Sequence, residues 1–355
     1  MYLAIRELQH NKLRSALVGG IVALIAFMVF MLMGLTRGLS RDSASLILET
    51  PAASFVTTKD AAGVFTRSFL TPEQVKDIQA QSAGATAFAQ RFVSFGNGDK
   101  QLGGVLLGVD PAGFLAPKST EGASLSDPDF SLDGAVVDES LKEDGVKLGD
   151  TLTLKPSGET LKVVGFTRSA RLNHQAGIFV SLDEWQKLNP RGRGTVNAVA
   201  LKTETPDLSG SYSVLSRAQT LQVLPGYKEE QGSLTMIQVF LVAVAAFVMA
   251  AFFYVMTLQK TPQFGLLKAI GASTRTLAGS LVAQMLLLTL LAVAVAAAIT
   301  LGMVQLLPSG MPFHLTAQNI AAASGLLVLV AALSSLLSLR SIARVDPLIA
   351  IGTVG

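Results

Sequence analysis

Two groups of side chains stand out for what they could bind. At the far end of the first apolar run lie Met28, Met31 and Met33, followed by Arg37 and Arg41. Just ahead of the second run comes Tyr227-Lys228-Glu229-Glu230, then Met236. Thioether, phenol and carboxylate groups are ligands to iron, and arginines grip carboxylates through two hydrogen bonds. Glu229 and Met236 are seven residues apart, two helical turns, so a helix that starts early puts both on one face. A plainer reading competes: Met in an apolar helix usually fills gaps, and Glu just outside such a helix is usually solvated.

Little else in the chain could do chemistry. No G-x-x-x-x-G-K-[ST] loop is present, so the chain does not hold ATP by that means. H-E-x-x-H and G-x-S-x-G are absent too. His10, His174 and His314 are scattered and read as surface histidines. The chain does not look like an enzyme, and its expected metal ligands are limited to Glu229, Glu230 and Met236 for iron. No basic stripe with interleaved aromatics suggests nucleic acid.

The elements that must position these residues are mostly apolar. Of 355 residues, 50% are hydrophobic and 15% charged, against about 25% charged in soluble domains. Four windows are long and apolar enough to span a membrane: Leu17–Leu35, Leu234–Leu258, Leu277–Leu307 and Ala321–Leu339. The first is longer than a signal-peptide core and reads as an uncleaved anchor. The expected layout is a cytoplasmic amphipathic helix over 1–14, a first span over 15–40 and an outer domain with a helical stalk over 41–230. A second span follows over 231–259, then a cytoplasmic segment over 260–276 and a third span over 277–307. An outer loop over 308–318, a fourth span over 319–340 and a tail over 341–355 complete it. The fold class is a membrane protein with four transmembrane helices in a 1+3 arrangement and an α+β extracytoplasmic domain inserted after the first.

Orientation follows the basic residues. Arg6, Lys12 and Arg14 precede the first span, Lys260, Lys268 and Arg275 lie between the second and third, and Arg340 and Arg344 follow the fourth. All three segments fall on one side, which the positive-inside rule makes cytoplasmic. Arg37 and Arg41 vote the other way and are outnumbered. Both termini are then cytoplasmic and residues 40–232 lie outside the cell membrane. With no cysteine, that domain holds together without disulfides.

Within it, TPEQVKDIQAQS from Thr71 begins a helix with a Thr cap and an early proline, and SLDEWQKL from Ser181 begins similarly. LGDTLTLKPSGETLKVVGF alternates like two strands around Pro156–Gly158. Residues 41–50 continue helically from the first span.

The loop between the second and third spans is longer than a turn requires. It reads QKTPQFGLLKAIGASTRTL over residues 259–277, and Phe264, Leu267 and Gly271 fall on one stripe. Such a basic amphipathic helix either lies in lipid headgroups or plugs a groove on a partner.

Three segments carry a resemblance. PQFGLLKAIGAS is similar to the E-I-G-x-L-x-A-I/L-G-A-S/T segment of the MacB/FtsX-type ABC transporter permeases, RVDPLIAI resembles their closing R-x-D-P-x-x-A-L, and YLAIRELQHNKLRS resembles their amphipathic first helix. Gln263–Phe264 stands where the family has Glu–Ile. The resemblance implies a permease that works with a separate ABC ATPase in two copies and with a second copy of itself. ATP belongs to the partner, and the chain has no intrinsic cofactor. In that family the loop segment touches the ATPase, which implies contact roles for Pro262, Phe264, Gly265, Leu267, Lys268 and Gly271.

The first 40 residues, with MYLAIRE and VFMLMGLTRGL, look like heme exporter permeases of the HrtB type. That implies efflux of heme, a flat apolar ligand with two propionates. Met31, Met33, Tyr227, Glu229, Glu230 and Met236 are then candidates near the iron, and Arg37 and Arg41 candidates for the propionates. Two alternatives stand: a mechanotransmitting permease whose outer domain acts on a partner protein, and a peptide-sensing membrane protein.

Overall fold

The computed structural model describes residues 12–127, 133–192, 194–204, 208–307 and 311–343. The amphipathic helix expected over 1–14 lies outside them up to residue 11, and the closing RVDPLIAI motif lies wholly outside. The chain forms two compact units, Leu39–Gly232 and Met1–Gly38 with Ser233–Gly355.

The first long helix, α1, is Lys12–Leu48 and passes from one unit into the other. Its helix geometry breaks at Ala44 (φ −151°, ψ 25°). In the outer unit the strands are β1 Ser54–Thr58, β2 Thr86–Asn97, β3 Lys100–Val109, β4 Ser119–Gly122, β5 Gly134–Asp138 and β6 Thr151–Lys155. They continue as β7 Thr160–Thr167, β8 Arg171–Leu172, β9 Gln175–Ser181, β10 Ala198–Leu201 and β11 Tyr212–Ser216. Helices α2 Pro72–Gln81, α3 Leu182–Leu188 and α4 Arg217–Val223 complete it.

The strand order is β11-β1-β10-β2-β3-β9-β5-β7-β4, and β6 pairs with both β2 and β7. The pairs β2–β3–β9–β5–β7–β6–β2 therefore close a six-stranded ring. It is filled by Phe95, Leu106, Val137, Leu152, Leu161, Val163 and Ile178, each fully buried. Each such side chain contributes about 1.5–3 kcal/mol by leaving water. Beyond β2 the sheet continues open through β10, β1 and β11. Local signals are honoured. Thr71 and Gln74 form a capping box at the start of α2, and Ser181 Oγ accepts the N–H of Glu184 at the start of α3 (3.1 Å). The expected hairpin is β6–β7, with Leu152 opposite Leu161.

The chain re-enters the membrane unit along α5 Tyr227–Ala269, followed by α6 Thr274–Val304 and α7 Ala317–Ala343. All three, with α1, are long and apolar enough to cross a membrane. Val18, Val22, Ala26 and Phe30 of α1, Met249, Phe253 and Met256 of α5, Leu281, Met285 and Leu288 of α6 and Leu327 of α7 form one buried core. The spacing of three or four residues is one helical face. Leu24, Phe247, Leu290, Leu291 and Leu329 stay exposed, as lipid-facing positions should.

Gly34 and Gly38 of α1 make room for a loop. A Cβ on Gly34 would lie 2.1 Å from the Phe313 ring, and one on Gly38 would lie 2.0 Å from the Pro312 carbonyl oxygen. His314 N–H donates to the Gly34 carbonyl (2.9 Å).

The segment after the second span also differs from its expected form. No separate helix covers 260–276: α5 runs 43 residues through Pro262 to Ala269. Pro262 removes one ladder donor, but Phe264 and Leu267 continue the inward apolar face and hold the helix together by packing. The end is a Schellman turn. Gly271 has φ +99°, its N–H donates to the Lys268 carbonyl (3.0 Å), and Ala272 N–H reaches back to Leu267 (2.9 Å). Ser273 then caps α6.

Candidate functional site

In the membrane unit, a cavity of about 290 Å³ opens between α1, α5 and α7. Its wall is apolar: Val29, Leu32 and Met33 from α1, Val239, Leu241 and Val242 from α5, and Leu326 from α7. Thr235 and Gln238 are its polar lining residues. The thioether of Met33 is thus beside an apolar space large enough to accept part of a ligand. Met31 is half-buried and does not line it. Met236 stands next to Thr235 on α5 but is 58% exposed, in line with Val239, Phe240 and Phe247 on an open apolar face. Arg37 is exposed.

In the outer unit, the remaining predicted residues are already engaged. Arg41 pairs with Glu49, and its Nη2 donates to Ser169 Oγ (3.1 Å). Tyr227 is buried, with its hydroxyl 3.1 Å from Ser40 Oγ. Glu229 is exposed. Glu230 Oε2 lies 3.3 Å from His174 Nε2, so it is not simply solvated.

His174, read from sequence as a surface histidine, is the centre of a cluster. Its Nδ1 lies 2.6 Å from Asp42 Oδ2 while Nε2 faces Glu230, so each ring nitrogen meets a carboxylate. Arg171 Nε lies 2.6 Å from Asp42 Oδ1, an ion pair by distance although not aligned as a hydrogen bond. Asn173 and His174 are the two loop residues of the β8–β9 hairpin, both with positive φ (48° and 61°), as a type I′ turn demands. Asn173 N–H donates to the Ser43 carbonyl (2.7 Å) and Arg171 N–H to Ser45 Oγ (3.0 Å), on either side of the break at Ala44. The hairpin tip thus joins the outer end of α1 to the start of α5. Asp42 lies 132 residues from His174 in sequence, and Glu230 follows it only after β9, β10 and β11, which is why the cluster could not be read there.

At the other end of α5, Phe264 is only 7% exposed and Gly265 is buried, while Leu267 packs against the core. These residues of the expected contact stripe therefore face inward. The exposed apolar positions are Leu266 (61%) and Ile270 (75%), one turn apart. Pro262 and Gly271 are exposed and Lys268 half-buried. Lys260 is buried, with its ammonium donating to Gln284 Oε1 on α6. Among the described residues, no three His, Cys, Asp or Glu are grouped to hold a metal ion.

Family models match both parts of the chain. The MacB-like periplasmic core domain matches residues 15–211, and the FtsX-like permease C-terminal domain matches 235–347. The chain belongs to the MacB/FtsX family of ABC transporter permeases. This permease is 28% identical over 358 residues to a protein of Staphylococcus epidermidis named as the hemin transport system permease protein HrtB, covering 99% of each chain. It is 27% identical over 357 residues to the corresponding Staphylococcus haemolyticus protein, again over 99% of each. An uncharacterized ABC transporter permease of Mycobacterium bovis is 26% identical over 359 residues and 99% of each chain. Among solved structures, the periplasmic region of MacB from Actinobacillus actinomycetemcomitans aligns at 16% identity with a TM-score of 0.37, over 51% of this chain and 98% of that one. The permease is a multi-pass membrane protein with a large α+β outer domain, and its family implies an ATPase partner subunit.

Proposed function

We propose that this permease exports heme, drawing it from the membrane under the drive of a separate ABC ATPase. The observation that carries the reading is the apolar cavity with Met33 in its wall and two polar neighbours, Thr235 and Gln238. A porphyrin is flat and apolar, and a thioether is one of the side chains that ligates its iron. Full-length similarity to proteins named as hemin transport permeases supports the same substrate.

A cavity of about 290 Å³ is at the low end for burying an organic ligand. It takes one part of the macrocycle. The exposed face of α5, with Met236, Val239 and Phe240, is the surface proposed to bind the rest or to meet a second copy. Met33 and Met236 are the proposed sulfur ligands, Met31 a neighbour, and Arg37 a propionate partner. The carboxylates Glu229 and Glu230 are proposed as alternatives at the iron. Lys and Arg counts support cytoplasmic termini and an outer domain outside the cell. Leu266 and Ile270 are the proposed ATPase contacts, next to Pro262, Lys268 and Gly271.

The test is ATP hydrolysis by the permease reconstituted with its ATPase in liposomes. Hemin is expected to stimulate the rate and a bile acid of similar apolar area is not. A complex that hydrolyses ATP with no response to hemin would remove heme as the substrate.

A further inference from the structure

β2 belongs both to the closed ring and to the open sheet. Its first residues pair with β10, as far as Phe88 opposite Ala198, and its last pair with β6, from Ser94 opposite Lys155. Between them, residues 89–93 have β3 along one edge and no described strand along the other. The sheet forks there. Asn197 closes the upper end: its N–H donates to the Phe88 carbonyl (3.0 Å), and its Oδ1 accepts the Gln90 N–H (2.6 Å). Backbone groups of alternate residues point to the same edge. The carbonyl of Gln90 and both the N–H and carbonyl of Phe92 therefore face the fork.

A cavity of about 240 Å³ lies at this place, lined by Phe69, Gln90, Arg91, Phe92, Trp185 and Asn197 among others. Three polar atoms of its lining residues are buried without a hydrogen-bond partner among the described residues: Gln90 Oε1, Arg91 Nε and Trp185 Nε1. Gln90 is 6% exposed and Trp185 2%. Buried polar groups are nearly always satisfied, and those that are not call for a reason. Among the described residues, no acidic side chain lines the cavity, and Arg91 Nη2 donates to a neutral group, the Leu188 carbonyl (3.3 Å). Phe69 and Phe92 nevertheless show 59% and 41% of their surface.

We propose that the fork is a docking site for an extended peptide bearing a carboxylate, whose backbone adds to β2 as a short strand. Phe92 and the Gln90 carbonyl supply the ladder, in the manner of strand addition at an open sheet edge. Arg91 takes the carboxylate, Trp185 Nε1 donates to a peptide carbonyl, and Gln90 Oε1 accepts a peptide N–H. Phe69 and Phe92 hold an apolar side chain. The site presents acceptors as well as donors, which a fatty acid or other simple anionic amphiphile could not satisfy. Five residues at about 3.3 Å each leave an edge of roughly 17 Å, room for a peptide of about three to five residues. The site lies wholly within the outer unit, and its occupancy does not depend on the membrane cavity binding heme.

Trp185 is the chain's one tryptophan, so its emission reports on this cavity in the full-length protein in detergent. The probe is an acetylated pentapeptide of alternating valine and threonine ending in a free aspartate. A saturable change in emission is expected. It should be lost with the same peptide N-methylated along its backbone, and it should need at least tenfold more peptide in Arg91→Gln, checked for its fold by circular dichroism. The aspartate diamide analogue tests the same point on the unaltered protein and should also bind at least tenfold more weakly. No saturable change with the first peptide overturns the proposal. So does saturation by the N-methylated peptide or by dodecanoate at the same concentration, or equal affinity for the acid and amide peptides.

Discussion

The surface at the end of α5 gives a prediction that can be worked from exposure. Leu266 and Ile270 lie one turn apart and are 61% and 75% exposed. Fully burying such a side chain is worth about 1.5–3 kcal/mol. Scaled by those fractions, each would contribute roughly 1–2 kcal/mol when a partner covers it. Replacing both with aspartate removes roughly 2–4 kcal/mol, a loss of about 30- to 700-fold in affinity, before any cost of trapping the carboxylates. The permease itself should be spared, since exposed substitutions usually change stability by no more than about 0.5 kcal/mol. Phe264→Ala is the contrast: at 7% exposure it removes core packing and should destabilise the helices by about 3–5 kcal/mol. The assay is recovery of the ATPase on a tagged permease in detergent, with the thermal midpoint measured in parallel. Leu266→Asp with Ile270→Asp should lose the ATPase at an unchanged midpoint. Full recovery of the ATPase by that double variant would refute the contact.

Gly34→Ala should lower the thermal midpoint, by about 1–3 kcal/mol of overpacking, because its Cβ would overlap the Phe313 ring; Phe313→Ala should restore part of the loss in a double-mutant cycle. His174→Ala should cost on the order of 1 kcal/mol and speed amide exchange at Asn173, whose N–H is tied to Ser43. Tyr212 donates to Asp77 (2.8 Å), and burial together with that carboxylate raises its pKa above the ordinary 10.0. A raised value means stability that is present below pH 10 and lost as pH climbs through the folded value, so a chemical-unfolding series from pH 8 to 11.5 should show a decline that Tyr212→Phe lacks.

What could be read in advance was what local physics decides. Apolar run length marked the four spans, and the caps at Thr71 and Ser181 marked the starts of α2 and α3. The alternation around Pro156 marked β6 and β7. What stayed hidden depends on distant partners. The ring closes only because β6 finds β2 some sixty residues earlier, and periodicity carries no such information. The His174 cluster joins Asp42 and Glu230 through a two-residue turn. Phe264 and Leu267 pack inward because α5 does not break at Pro262, which leaves Leu266 and Ile270 outside. The contacts of Arg41 with Glu49 and Ser169 and of Tyr227 with Ser40 likewise depend on the folded chain and do not show in sequence spacing.

The absorption spectrum of the purified permease titrated with hemin tests the central claim most directly. A saturable Soret band distinct from that of free hemin in the same detergent is expected. It should shift or weaken in Met33→Ala and in Met236→Ala, while Leu290→Ala, on the exposed face of α6, leaves it unchanged. A titration matching free hemin throughout, or a band identical in the unaltered protein and both methionine variants, would contradict heme binding at this cavity.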